Sequence, residues 1–97
     1  MERTPCVYML SNHRNGTLYV GVTSNLHQRI WQHNNQFVDS FSKQHNLKLL
    51  VYFEAHQEMA DALLCERQLK NWRRAWKIEL IEASNPYWRD LWDDICC

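Results

Sequence analysis

The chain has 97 residues, 45% of them hydrophobic, with 11 Lys and Arg balancing 11 Asp and Glu at a formal net charge of zero. That length supports one domain with a modest core and little room for a second module, so a single unit over residues 1–97 is expected. Charge balance excludes a protein that coats nucleic acid by bulk attraction. With no apolar run near the ~20 residues of a bilayer span and no leader-like N-terminus, a soluble cytoplasmic protein without a membrane partner is expected.

The four cysteines, Cys6, Cys65, Cys96 and Cys97, form neither paired ligand sets nor a disulfide framework. Cys6 and Cys65 read as small buried apolar residues. Residues Thr4 to Ser11 and Thr17 to Thr23 are rich in Val, Tyr, Leu and Met and read as antiparallel strands. The polar segment between them, ending in Asn15-Gly16, has the composition of a hairpin turn at those two residues.

Ser24 or Asn25 can cap a following helix whose inward stripe holds Leu26, Ile30 and His33 or Asn34, and polar residues from Asn34 to Gln36 end it. Phe37 to Asn46 reads as a loop. Leu47 to Ala55 is β-branched and aromatic enough for a third strand, with Leu49, Val51 and Phe53 on one face and Leu50, Tyr52 and Glu54 on the other; two covered faces fit a central strand. From Gln57 to Trp72, Met59, Leu63, Leu69 and Trp72 recur at helical spacing, and a further helix runs from Arg74 to Ala83 until Asn85-Pro86 stops it. A short helix or turn carries Trp88, Leu91 and Trp92. The order β-β-α-β-α-α describes one compact α/β (α+β) unit with a three-stranded antiparallel sheet flanked by helices.

Certain polar residues fall where phosphodiester chemistry could use them. Tyr8 and Tyr19 stand on adjacent strands, so side chains on one face could bring their hydroxyls together over a phosphate. A tyrosine hydroxyl, with an ordinary pKa of ~10, needs nearby positive charge to act as a base. Arg29 supplies such a charge, and its planar guanidinium suits two oxygens of one phosphate. His33 is one turn further on the same helix face. Glu66 follows on a second, longer helix and adds a carboxylate to this set. Each also has a plainer reading: core aromatics for the tyrosines, surface or helix residues for Arg29 and His33, and an i,i+4 salt bridge to Lys70 for Glu66.

Cys6-Val7-Tyr8 and Tyr19-Val20-Gly21, followed by Arg29, Trp31-Gln32-His33, Leu50 to Glu54, Glu66 to Trp72 and Asn85 to Leu91, resemble the GIY-YIG nuclease superfamily over nearly the whole chain. The run is similar to the small single-domain bacterial branch of predicted endonucleases. The resemblance implies a small antiparallel sheet with the active site on one face, and hydrolysis of phosphodiester bonds in DNA by in-line water attack. It implies Tyr8, Tyr19, Arg29 and His33 as catalytic residues and Glu66 as the ligand of one divalent ion, Mg²⁺ or Mn²⁺. Tyr19, with Tyr8 as its partner, is the favoured proton acceptor. A single domain offers one cleavage site, so cutting both strands takes a homodimer or two visits.

The sequence departs from the superfamily pattern at several points. Cys6 and Val7 replace Gly and Ile in the first motif, and Val20 replaces Ile in the second. Val22 and Ile78 occupy sites where some repair nucleases of the superfamily place a lysine and an asparagine, and Asn71 and Asn85 are poor substitutes by position. These differences keep open the alternative of a catalytically weak or inactive nucleic-acid-binding module of the same fold. Arg67, Lys70, Arg73, Arg74 and Lys77 read equally as a solvated face or a phosphate-contacting surface. Lys43 reads as a loop lysine, and His13, His27, His45 and His56 as solvent-facing. Trp72 and Trp76 continue into Leu80 at core spacing, whereas Trp31 has a case for exposure.

Overall fold

A computed structural model describes residues 4–35 and 46–95. Strands β1 (Cys6–Ser11), β2 (Leu18–Thr23) and β3 (Leu49–Ala55) form an antiparallel sheet of order β2-β1-β3. Helix α1 (Leu26–Asn34) follows β2, and α2 (Met59–Asn71), α3 (Arg74–Ser84) and the short α4 (Trp92–Ile95) follow β3. The α+β architecture and element order agree with the sequence reading. Residues 36–45, with Lys43 and His45, lie outside the described residues.

Central β1 is buried along its whole length, because alternate side chains enter two separate cores. On one face Val7 and Met9 join Val20, Val51, Tyr52, Ala62, Leu69, Ile81 and Trp88, the layer built by α2 and α3. On the other, Tyr8 and Leu10 join Ile30, Leu47, Leu50 and Leu91, the layer built by α1 and the C-terminal segment. The largest of these side chains each contribute roughly 1.5–3 kcal/mol by leaving water.

β3 is an edge strand, not the central one its apolar sequence implied. Its strict alternation also fails. Met9 pairs with Tyr52 and Leu10 with Leu50, which leaves Val51 as an extra, bulged residue. The bulge resets the period, so Leu49, Val51 and Tyr52 share one core while Leu50 and Phe53 share the other.

The chain's end covers the edge that β3 would otherwise expose. Leu91 N donates to Leu50 O at 2.8 Å, and Leu50 N donates to Asp90 Oδ1 at 3.3 Å. Buried Asn85 donates through Nδ2 to the bulged Val51 O at 3.1 Å and to Arg89 O at 2.9 Å, while its Oδ1 accepts from Arg89 N at 3.1 Å. Asn85 therefore caps α3, closes the next turn and pairs the bulge. Trp88, held at a left-handed φ of 57°, buries its ring in the core and donates from Nε1 to Glu82 Oε2 at 2.7 Å.

The hairpin turn differs in detail from a two-residue Asn-Gly turn. The last strand pair is Ser11 with Leu18, leaving six loop residues, 12–17. Asn15 takes the left-handed conformation at φ 59°, while Gly16 has no positive φ and is required by space. A Cβ on Gly16 would stand 2.0 Å from Asn12 Oδ1, the atom that accepts from Thr17 N. Arg74 clips this turn to the start of α3 by donating from Nη2 to Asn15 O and Gly16 O, both at 2.6 Å.

Replacing Asn85 with Ala strands the buried Val51 carbonyl and removes both part-buried bonds to the Arg89 backbone. The expected loss of folding stability is about 2–4 kcal/mol by urea unfolding. A change below about 0.5 kcal/mol, the level of an ordinary surface substitution, would show that the edge cover is not held by this side chain.

Candidate active site around Tyr8, Tyr19 and His33

The hairpin register places both tyrosines on one face. Tyr8 is opposite Gly21 and Leu10 is opposite Tyr19, and cross-strand partners point to the same side of a sheet. Gly21 has a steric task. A Cβ there would lie 2.4 Å from Tyr8 Cζ and 2.5 Å from its hydroxyl, so the Tyr8 ring occupies the space above the glycine.

Helix α1 closes over this face. Asn25 caps it, its Oδ1 accepting from Gln28 N at 3.1 Å, as the sequence indicated. Ile30 and His33 are its buried residues. His33 Nε2 and the Tyr8 hydroxyl are hydrogen-bonded at 3.0 Å, the hydroxyl donating when Nε2 is bare and accepting when Nε2 carries the proton. The Tyr8, Tyr19 and His33 rings form a closed triangle with centroid separations of 6.3, 5.8 and 5.5 Å. Tyr8 is fully buried, His33 nearly so, and Tyr19 half-buried. Tyr19 is thus the member of the trio with a solvent-facing side.

Arg29 precedes His33 by one helical turn and is half-buried. Glu66 belongs to the opposite layer. On α2 the buried line is Ala62 and Leu69, and at about 100° per residue Cys65 and Glu66 flank it on opposite sides. Cys65 reaches Glu54 on β3, so Glu66 is on the flank of the helix away from that contact. The Glu66 side chain is 18% exposed, and its carboxylate pairs with Lys70 Nζ at 3.0 Å. The structure thus brings Tyr8, Tyr19 and His33 into direct contact and places Arg29 one turn from His33 on α1, whereas Glu66 stands on the helix of the opposite layer, paired with Lys70, and not on the tyrosine face where a one-faced site would put it.

The basic segment is largely engaged within the protein. Lys70 pairs with Glu66, Arg74 holds the hairpin turn, and Arg73 lies over the Trp76 ring at 5.2 Å. Burial, and then the neighbouring Arg74 charge, lower the pKa of Lys77. Trp72 and Trp76 are 38% and 47% exposed, against the core placement their spacing implied. They stack edge to face at 6.1 Å and, with Glu79 and Leu80, line an open apolar groove. Trp31 is exposed, as expected, and Trp88 takes the core position. Val22 and Ile78, the two departures from the repair-nuclease pattern, pack against the α2–α3 core.

Two histidines read as solvent-facing are not. His27 stacks on Trp92 with centroids 4.8 Å apart. His56 is half-buried, with Nε2 3.4 Å from Glu54 Oε2. Cys65 Sγ donates to the other oxygen of Glu54 at 3.1 Å. Burial, reinforced by the Glu54 carboxylate, pushes the Cys65 thiol up to about 12. Burial and the same carboxylate raise the Tyr52 phenol well above its ordinary value. The sequence reading missed this Glu54, His56 and Cys65 group. Its signal was Glu-x-His at a strand end, where the two side chains fall on one face, opposite a cysteine of the next helix.

Adding a methyl at Gly21 would have to displace the Tyr8 ring. Gly21→Ala is expected to lower stability by about 1–3 kcal/mol, and a tyrosine-to-leucine change at position 8 in the same chain should recover part of that loss. Equal stability of Gly21→Ala and wild type in thermal unfolding would contradict the close approach.

The model of the GIY-YIG catalytic domain matches residues 4–79. A UPF0213 protein of Autographa californica nuclear polyhedrosis virus is 38% identical over 81 residues, covering 81% of this chain and 77% of that protein. UPF0213 proteins of Pediococcus pentosaceus and Clostridium perfringens are 34% and 33% identical, covering 70% and 81% of this chain and 72% and 84% of their own lengths. No solved structure matches the chain. The matched span runs from the strand carrying Tyr8 through the Tyr8–Gly21 contact and α1 into α3, and on that span the chain belongs to the GIY-YIG family, a family of nuclease-type domains, among its small UPF0213 relatives.

Proposed function

We propose that this protein is a metal-dependent endonuclease that hydrolyses phosphodiester bonds in DNA, with Tyr8, Tyr19, Arg29 and His33 as catalytic residues and Glu66 as the ligand of one Mg²⁺ or Mn²⁺. The observation that carries the reading is the Tyr8–Tyr19–His33 triangle, in which Tyr8 is buried with its hydroxyl bonded to an imidazole while Tyr19 is only half-buried. A fully buried Tyr8 hydroxyl is poorly placed to meet an incoming water. Tyr19 therefore takes the water's proton, and Tyr8 with His33 holds the neighbouring ring and supports proton movement away from it.

Arg29 supplies a planar, permanently charged group for two phosphate oxygens and lowers the cost of the negative charge that develops there. A single partly buried carboxylate fits Mg²⁺ or Mn²⁺, which keep most of their waters and use one or two protein oxygens. Glu66 would hold such an ion, which would supply charge stabilisation to a departing oxygen. The competing Lys70 pair is worth only ~0.3–0.5 kcal/mol, little enough for a divalent ion to displace it.

That same ion pair favours a second reading. With Glu66 kept on Lys70, the domain would grip a phosphate through Arg29 without turnover, as a nucleic-acid-binding module. Steeply salt-dependent binding with no metal-dependent product distinguishes it.

The test is cleavage of nicked, branched, single-stranded and duplex DNA by purified protein with Mg²⁺ or Mn²⁺. At least one substrate is expected to be cut, with Glu66→Gln slower by about 10²–10³-fold and Tyr19→Phe by about 10²–10⁴-fold. Equal cutting by wild type and Glu66→Gln, or no cutting by wild type on any substrate, would refute the enzyme reading.

A further inference from the structure

We propose that Glu54, His56 and Cys65 form a second cation site, selective for a thiol-preferring divalent ion of the zinc class, that clamps α2 to the end of β3. The three ligand atoms lie within 4.8 Å of one another. Two of the separations are already short, 3.4 Å from His56 Nε2 to Glu54 Oε2 and 3.1 Å from Cys65 Sγ to Glu54 Oε1. A tetrahedral ion with bonds of about 2.0–2.3 Å holds its ligand atoms roughly 3.3–3.8 Å apart. Only a small closing movement is then needed to embrace one.

Features beyond proximity support the assignment. His56 Nε2 is sealed from solvent and makes no hydrogen bond, facing Glu54 Oε2 across 3.4 Å, so a cation between the two would engage both. The backbone is fixed at that point, since His56 N donates to Pro5 O at 2.7 Å, so the imidazole is presented from a held strand end. The Tyr52 phenol neighbours Glu54 from the same strand, as an outer group orienting a ligating carboxylate does. One nitrogen, one sulfur and one oxygen donor make a borderline-soft set that suits Zn²⁺ and leaves a fourth position for water. Mg²⁺ disfavours thiolate and imidazole ligands and is a poor occupant, and Mn²⁺ binds such a set more weakly than Zn²⁺. As Sγ takes the ion, its proton leaves to solvent and the Cys65–Glu54 hydrogen bond is replaced by two bonds to the metal.

The clamp would act on α2, the helix that also carries Glu66 on the other side of its buried line. Holding Cys65 to β3 fixes the rotation of that helix about its axis. Binding and clamping require no nuclease activity, so this proposal stands or falls separately from the enzymatic one.

The experiment is a Co²⁺ titration of the full chain followed by absorbance, alongside thermal unfolding with and without Zn²⁺. Wild type is expected to take one Co²⁺ with a thiolate-to-cobalt charge-transfer band, to lose that band to Zn²⁺ but not to excess Mg²⁺, and to unfold at higher temperature with Zn²⁺. A chain with Cys6, Cys96 and Cys97 all changed to Ser should behave as wild type. Cys65→Ser and His56→Gln should lose the band and the Zn²⁺-induced shift while keeping the wild-type far-ultraviolet circular dichroism. A band that survives Cys65→Ser or disappears in the triple variant, or wild type that shows neither band nor shift, would overturn the site.

Discussion

The proposed site depends on how closely the Tyr8 ring approaches the backbone of β2. Position 21 must lack a side chain for the ring to lie over the neighbouring strand, since the nearest atom would be 2.4 Å from an added Cβ. From that position the hydroxyl reaches His33 on α1. The glycine is therefore needed for space, and the conformational freedom usually associated with glycine plays no part, because its φ is negative or extended. The two motif tyrosines, the glycine and the helix histidine form one packing unit, so a change at any of them is felt by the others.

A second constraint comes from the sheet's edges. Bulged at Val51, β3 offers unpaired backbone groups that Asn85, Asp90 and Leu91 satisfy. The C-terminal segment thereby ties the α2–α3 layer to the α1 layer around one side of the sheet. On the other side, β2 has no strand beyond it among the described residues. The tyrosine face and the helix that carries Glu66 lie in the two layers on opposite sides of the sheet.

Much of this was legible in the sequence because the relevant signals are local. Strand composition, the Asn25 cap, the Ile30–His33 stripe and the stop at Asn85-Pro86 each depend on a few neighbouring residues, and each appears where the sequence placed it. The failures depend on distant partners. Both faces of β3 are apolar because of a bulge and a covering segment forty residues later, which period-2 reading cannot anticipate. Trp72 and Trp76 keep helical core spacing yet stay exposed, because α2 ends at Asn71 and the chain re-enters a helix at Arg74, breaking the row. His56 looked like a surface histidine until Glu54 and Cys65 met around it.

Whether one divalent ion bound at Glu66 also serves the tyrosine face is read most directly by ¹H–¹⁵N correlation spectra during substoichiometric Mn²⁺ addition, with the Glu54, His56 and Cys65 group blocked by Zn²⁺. Paramagnetic broadening should reach the amides of Glu66 and its α2 neighbours together with Tyr19 on β2. Broadening confined to other surfaces, or none near Glu66, would contradict the nuclease site.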